Sequence, residues 1–320
     1  MSEIAVIGAG AWGTALALVA ARAGNRVTLW ARSPARADEI ETTRRNPRLP
    51  GVELPPEIRI TARLPKAEIA LLAAPLQHLR EVLRALPACA VLVDCAKGVE
   101  ARTLALPLDI LADEAPGAAH AVLTGPNFAH EVARRLPAAA VVAAREEDVR
   151  KRVMAALATP EFRLYGNDDP IGAQLGGAAK NVVAIAAGAA IGAGLGENAR
   201  AALVTRGLAE ITRLAVAMGG QATTVGGLSG LGDLLLTCTG PGSRNFRFGL
   251  ALGQGQSVVE ALAASSGVVE GAATAPGLVA RAEGLGVSLP ICHSVARVVS
   301  GEASVAKEIV ALLSRPTRDE

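Results

Sequence analysis

A strand, a glycine turn, a helix and a second strand follow one another without interruption between residues 4 and 32. Ile4-Ala5-Val6-Ile7 is short and wholly apolar, the pattern of a strand covered on both faces. Gly8-Ala9-Gly10-Ala11-Trp12-Gly13 comes next and opens an Ala/Leu-rich helix that runs to Ala23. Arg26 to Trp30 reads as the second strand and ends in Ala31-Arg32-Ser33. A unit of this length and order leaves few folds open, because parallel strands joined by a helix build a sheet covered by helices. The glycines stand where a dinucleotide pyrophosphate would meet backbone. Gly8 permits the tight turn, Gly10 lets the pyrophosphate approach, and Gly13 lets helix and strand pack closely. The helix N-terminus adds free N–H groups and partial positive charge. Where an NAD site usually has Asp or Glu for the ribose 2′-hydroxyl, this chain has Arg32. An arginine after a strand is often a solvated charge. In this position it is also placed to meet a 2′-phosphate, which would admit or favour NADP.

The alternation continues. Ile58 to Ile60, Ile69 to Ala73, Ala90 to Asp94, Ala121 to Leu123, Ala139 to Ala143 and Phe162 to Tyr165 read as strands. Helices are expected from Pro75 to Leu86, Thr103 to Asp113 and Glu146 to Ala158. The first half is therefore expected to be α/β, with a mainly parallel sheet. After Asn167-Asp168-Asp169-Pro170 the character changes. Ile171 to Leu195, Ala199 to Met218, Leu250 to Ala264, Ala275 to Gly284, Ile291 to Ser300 and Ser304 to Ser314 read as helices, with no clear strand among them. This gives a dinucleotide-binding domain over residues 1–168 and an all-α domain for substrate and catalysis over residues 169–320.

With 320 residues the chain can hold two cores. Aromatic residues make up only 2% and the net charge is +2, so stacking on bases and a basic nucleic-acid surface are both disfavoured. Cys89, Cys95, Cys238 and Cys292 lack metal spacing, as do the scattered histidines, so no metal site is expected. Buried thiols in a reducing cytoplasm are the simpler reading. Glu3 argues against a basic-headed signal peptide. Ile171 to Gly196 could span a bilayer by length, but it is rich in Ala and Gly and contains Lys180. A buried central helix, with no membrane insertion, is expected.

Lys180 is the strongest candidate for chemistry. An ammonium on an apolar helix is costly to bury, so it either reaches water or faces a cleft with a partner. In a cleft, burial and a nearby cation would move its pKa towards neutrality and suit proton transfer. Lys97 lies in a strand-end loop, Asp94-Cys95-Ala96-Lys97-Gly98, and Gly125-Pro126-Asn127 follows another strand. Ligands bind at such carboxyl ends of strands, although an exposed loop lysine is also ordinary. Asp233 falls at the start of a helix after a glycine-rich approach, where it is either a cap or a site residue. Ser243-Arg244-Asn245 groups a hydroxyl, a guanidinium and an amide, suitable for a phosphate or for a plain polar loop.

In combination these residues carry a resemblance. Gly8 to Ala15, Ala96-Lys97-Gly98, Gly125-Pro126-Asn127-Phe128-Ala129, Lys180-Asn181-Val182, Gly230-Leu231-Gly232-Asp233-Leu234, Ser243-Arg244-Asn245 and Val268-Val269-Glu270-Gly271 occur in that order. The chain resembles the bacterial NAD(P)-dependent glycerol-3-phosphate dehydrogenase family from Ile4 to about Leu313. The resemblance implies a Rossmann-type first domain and a second domain like the C-terminal domain of 6-phosphogluconate dehydrogenase. It implies NADP(H) and/or NAD(H) as cofactor, lined by Gly8, Gly10, Ala11, Trp12, Gly13, Arg32, Lys97, Ala129, Arg244, Val268 and Glu270. It implies dihydroxyacetone phosphate and sn-glycerol 3-phosphate as substrates, touched by Lys97, Gly125, Asn127, Lys180, Asp233, Ser243, Arg244 and Asn245. Lys180 would be the proton acceptor or donor. Ala11 stands where many members have Ser, so its contact can only be through backbone. Asn127 stands where Ser or Thr is common. A cytoplasmic homodimer working in glycerophospholipid synthesis is the corresponding expectation. The alternatives are another NADP-linked hydroxyacid or ketopantoate-type dehydrogenase, and a non-catalytic NADP sensor.

Overall fold

The structure, a computed structural model, describes residues 1–265 and 267–316. In chain order the first elements are β1 (Glu3–Ile7), α1 (Ala11–Arg22), β2 (Arg26–Trp30), α2 (Pro34–Thr43), β3 (Arg59–Thr61), β4 (Ile69–Leu72), α3 (Leu79–Ala85) and β5 (Val91–Asp94). They are followed by α4 (Pro107–Glu114), β6 (Ala119–Thr124), α5 (Ala129–Ala133), β7 (Ala138–Ala143), α6 (Glu147–Leu157) and β8 (Phe162–Asn167). The remainder is helical: α7 (Pro170–Gly192), α8 (Gly196–Ala217), α9 (Ala222–Val225), a π-turn over Leu228–Gly232, α10 (Asp233–Cys238), α11 (Arg244–Gly253), α12 (Val258–Ala263), α13 (Glu270–Gly284), α14 (Pro290–Val299) and α15 (Val305–Leu313).

By its internal contacts the chain forms two compact units, one of residues 1–97 and 105–174, the other of residues 98–104 and 175–320. The first holds one eight-stranded sheet in the order β3-β2-β1-β4-β5-β6-β7-β8. Every neighbouring pair is parallel except β6 and β7. The reason is visible at β1. Ile4 and Val6 join the core on one face, while Ala5 and Ile7 join the core on the other. A strand buried on both faces needs no polar alternation, which is what Ile4-Ala5-Val6-Ile7 presents. Ile7, Leu72, Asp94 and Val122 are paired in register, so the ends of β1, β5 and β6 lie along one edge. The turns at Gly8, Lys97 and Gly125 all leave from that edge.

Several elements differ from the sequence expectation. Helix α2 has no counterpart in it, because only Ala37 and Ile40 of its residues are buried and its apolar signal is correspondingly thin. The helix expected from Thr103 begins instead at Pro107, where a proline suits the first turn. The apolar stretch from Leu250 to Ala264 is two helices, broken where Gly255 takes a φ of +94° and Ser257 caps α12.

The second unit is all-α. Helix α7 is long and apolar enough to cross a membrane, with mean hydropathy 1.4, yet 83% of that window is buried in the protein. Its partner α11 approaches it through reciprocal glycines. A Cβ on Gly188 would lie 2.0 Å from the Phe246 carbonyl oxygen, and one on Gly192 would lie 2.2 Å from that of Leu250. From the other side, a Cβ on Gly249 would lie 2.0 Å from the Ile185 carbonyl oxygen, and one on Gly253 would lie 2.2 Å from that of Ala189. No side chain fits between these backbones, so the two helices are locked in one register. That register sets where Ser243, Arg244 and Asn245, at the start of α11, stand relative to Lys180 on α7.

Candidate active site

The candidate residues fall in both units, and each group has its own geometry. In the first unit the glycine turn is held by its own backbone. Gly8 has a φ of +123°, and a Cβ there would lie 2.8 Å from the Ala73 backbone. A Cβ on Gly13 would lie 1.9 Å from the Gly8 carbonyl oxygen. These two glycines are required by the fold. Gly10 is different. Its φ is −79°, open to any residue, and a Cβ there would meet no atom within 4 Å among the described residues beyond its chain neighbours. Nothing among the described residues requires glycine at position 10. The space over it, at the N-terminus of α1, fits the close approach of a pyrophosphate to backbone N–H groups.

Asn46 braces this turn. Its amide Nδ2 donates to the Ala9 carbonyl oxygen at 3.1 Å and to Thr14 Oγ1 at 2.7 Å, and Thr14 Oγ1 donates in turn to the Gly10 carbonyl oxygen at 2.8 Å. Asn46 is 2% exposed. Nothing in the sequence marks Asn46; a single Asn among basic residues and prolines carries no periodic signal. Arg32 is exposed just beyond β2, and the next residue, Ser33, caps α2 by accepting from the Arg36 N–H.

The other two strand ends are shaped locally. After β5, the Asp94 carboxylate accepts from the Ala96 N–H at 3.1 Å and so bends the loop that carries Lys97. After β6, Gly125 has a φ of +144° and a Cβ there would crowd Ala139 and Ala140. Asn127 Nδ2 donates to the Ala139 carbonyl oxygen at 3.0 Å. Its Oδ1 is buried and has no hydrogen-bond partner among the described residues, and the same holds for Thr124 Oγ1. A buried acceptor left in this state is one a ligand donor can satisfy. Ala129 opens the short helix α5.

In the second unit Lys180 does not reach out to water. It is 7% exposed, and its Nζ donates to Oδ1 of Asp233, which is fully buried. This partner is a carboxylate. This gives the ammonium the countercharge that makes its burial tolerable. Asp233 is brought there by the π-turn Leu228–Gly232, which runs directly into α10. Gly176 lets this turn press on α7: a Cβ there would lie 2.5 Å from the Ser229 carbonyl oxygen and 3.0 Å from the Gly230 Cα. Such π segments are a recurrent device at functional sites.

The neighbouring polar residues also hold the frame. Ser243 Oγ accepts from the Phe246 N–H at 3.2 Å and caps α11. Asn245 Oδ1 accepts from the Gly271 N–H at 2.9 Å, which ties α11 to the start of α13. Asn181 Nδ2 donates to Glu270 Oε2 at 3.4 Å. Arg244 is exposed beside Gly267, where a Cβ would lie 2.6 Å from its guanidinium, and Val268 is 49% exposed. The unit therefore assembles Lys180, Asp233, Asn181, Ser243, Asn245 and Glu270 through α7, α10, α11 and α13. Burial pushes the thiol of Cys238, on α10, up to about 12.

Family models place this arrangement. Residues 3–150 match the N-terminal domain of NAD-dependent glycerol-3-phosphate dehydrogenase, and residues 169–310 match its C-terminal domain. The chain belongs to the NAD-dependent glycerol-3-phosphate dehydrogenase family. A glycerol-3-phosphate dehydrogenase [NAD(P)+] from Acidiphilium cryptum is 56% identical over 99% of this chain and 98% of its own length. One from Caulobacter vibrioides is 51% identical over the same shares. The crystal structure of a glycerol-3-phosphate dehydrogenase from Coxiella burnetii superimposes with a TM-score of 0.92 at 38% identity, covering 98% of this chain and 99% of that one. A Rossmann-type domain followed by an all-α domain is the fold of this dehydrogenase family, and the chain is an oxidoreductase of that kind.

Proposed function

We propose that this chain reduces dihydroxyacetone phosphate to sn-glycerol 3-phosphate with NAD(P)H, with Lys180 as the proton donor and, in reverse, the acceptor. The observation that carries the reading is the buried Lys180–Asp233 pair, an ammonium held in place on an apolar helix. Relatives spanning nearly the whole chain bear the name of this activity, which favours it over a hydroxyacid or ketopantoate-type dehydrogenase. When bound, the nicotinamide supplies the hydride that goes to C2 of the ketone.

The chain's own groups do the rest. Gly8, Gly10, Gly13 and the N-terminus of α1 hold the pyrophosphate, with Ala11 and Trp12 beside it. Arg32 meets the ribose 2′-hydroxyl or 2′-phosphate. As hydride reaches C2, negative charge grows on the C2 oxygen, and Lys180 Nζ gives it a proton. Asp233 holds Lys180 in one place, so the donor needs no rearrangement as charge develops. Lys97, Gly125, Asn127, Ser243, Arg244 and Asn245 receive the phosphate and hydroxyl oxygens, where arginine can grip two phosphate oxygens at once. Ala129, Val268 and Glu270 complete the cofactor's surroundings. On this reading residues 1–168 serve the cofactor and residues 169–320 the substrate, in a soluble cytoplasmic homodimer that feeds glycerophospholipid synthesis.

The test is oxidation of NADPH and NADH against a panel of phosphorylated and carboxylated ketones. Turnover confined to dihydroxyacetone phosphate supports the proposal. Preference for a carboxylated ketone rejects it, and tight NADPH binding without turnover of any ketone points to a sensor.

A further inference from the structure

Residues 98–104 interrupt the first unit and belong by their contacts to the second. The chain leaves the sheet at Lys97, makes this short excursion and returns at Ala105. The excursion is a closed turn: the Leu104 N–H donates to the Glu100 carbonyl oxygen at 2.9 Å, and Thr103 Oγ1 donates to the Glu100 carboxylate. It begins at Gly98, with a φ of +127°, and ends at Leu104, with a φ of +61°. The left-handed region is unfavourable for a branched, bulky residue and persists where surroundings impose it.

Those surroundings are on α13. Arg281 Nη1 donates to the Leu104 carbonyl oxygen at 2.6 Å. Val99 is fully buried, and a Cβ on Gly277 would lie 3.1 Å from Val99 Cγ1 and 3.6 Å from Leu104 Cδ2. Gly277 thus leaves a seat into which both ends of the turn settle. Pairing both ends of a seven-residue excursion to one helix leaves its first link, the Lys97–Gly98 peptide, little freedom.

We infer that Arg281 is a positioning residue: by clamping Leu104 onto α13 it fixes the 98–104 turn and so the place of the Lys97 side chain. The inference rests on the assignment of Lys97 to the substrate. Arg281 itself touches neither substrate nor cofactor in this scheme. A misplacement of about 1 Å at a substrate-binding group costs up to about a hundredfold in rate. Helix α13 begins at Glu270, so one rigid element bears both a candidate cofactor residue and the seat of the Lys97 loop.

The experiment is a double-mutant cycle on the full-length enzyme. Steady-state KM for dihydroxyacetone phosphate, kcat, the dissociation constant for NADPH and the thermal midpoint are measured for Arg281→Ala, Lys97→Ala and the double variant. Arg281→Ala is expected to raise KM by about tenfold with NADPH binding near wild type, and Arg281→Lys, which keeps a donor for the carbonyl, to recover most of that loss. The double variant should be no worse than Lys97→Ala alone. An equal further rise in KM in the Lys97→Ala background would show a general structural role and overturn the inference. So would unchanged KM in Arg281→Ala. Lys97→Ala with wild-type KM would instead remove Lys97 from the substrate site, and the inference with it. Should Arg281→Ala fail to fold, Gly277→Val, which crowds Val99 from the same seat, takes its place in the cycle. A rise in KM that vanishes in the Lys97→Ala background then supports the inference, and one that persists there overturns it.

Discussion

Lys180 Nζ donates to Asp233 Oδ1, and both side chains are withdrawn from water. The two residues are 53 positions apart and come from different helices. Removing the lysine takes away the proposed proton donor and leaves the dinucleotide-binding turn untouched. Lys180→Ala is expected to bind NADPH normally and to lose about 10²- to 10⁴-fold in kcat. Titration of NADPH fluorescence and single-turnover kinetics check both halves; near-wild-type turnover would refute the role. Asp233→Ala leaves a buried ammonium without its carboxylate and should cost about 3–5 kcal/mol of stability, read from the denaturation midpoint.

Gly10 and Gly13 should respond in opposite ways. Gly10→Ala adds a Cβ with open space around it among the described residues, so stability should stay within about 1 kcal/mol of wild type. NADPH binding should weaken by about tenfold or more, because that Cβ enters the pyrophosphate's space. Gly13→Ala places a Cβ 1.9 Å from the Gly8 carbonyl oxygen and should unfold or strongly destabilise the first unit. Wild-type NADPH affinity in Gly10→Ala would remove the pyrophosphate from this turn.

Arg32 decides between cofactors only if it meets the 2′-phosphate. Arg32→Asp should then lose about 10- to 100-fold in kcat/KM with NADPH, the scale of a charge-assisted pair, while activity with NADH changes far less. Equal losses with the two cofactors would show that Arg32 does not read the 2′ position.

Asn127 holds its amide nitrogen on Ala139 and leaves its oxygen buried as an acceptor. Asn127→Leu should lose about 1 kcal/mol of stability with the Ala139 hydrogen bond and raise KM for dihydroxyacetone phosphate by about tenfold. Wild-type KM would confine the side chain to a structural part.

The thiols offer a pH test. Cys238 is raised from 9.0 to about 12 by burial, and Cys95 and Cys292, also fully buried, are raised well above 9.0. A folded-state pKa above the unfolded one favours the native state while the thiol is protonated, so stability should fall as pH rises from about 9 towards about 12. At pH 8 an alkylating reagent should label half-buried Cys89 alone in the native protein and all four thiols after unfolding. Mass spectrometry of tryptic peptides reads the pattern; rapid labelling of native Cys238 would contradict its burial.

Much of this is legible in order along the chain. The apolar run at Ile4, the glycine spacing and the loss of strands after Pro170 are local patterns, and strand and helix periods report them directly. Lys180 stands out because a charge on an apolar helix is conspicuous. Asp233 by its own local pattern is only a residue at a helix start; the resemblance is what marks it as a site residue. Asn46 and Arg281 give no signal, since each works through a carbonyl far away in sequence or in a turn without periodicity. Helix α2 escapes because two buried residues do not make a stripe.

By itself the sequence determined the classes of element and the candidate chemistry: a parallel α/β half, a helical half, a glycine turn for a dinucleotide and one lysine for a proton. Backbone sterics and burial on both faces act over a few residues, so they can be read there. The glycine spacing already separated Gly8 and Gly13 from Gly10; only the tertiary structure supplied the reason, a Cβ 2.8 Å from the Ala73 backbone at Gly8, one 1.9 Å from the Gly8 carbonyl oxygen at Gly13, and open space among the described residues at Gly10. It also decided the partner of Lys180. That pairing depends on α7 meeting the π-turn through Gly176, a contact between backbones that no sequence period encodes.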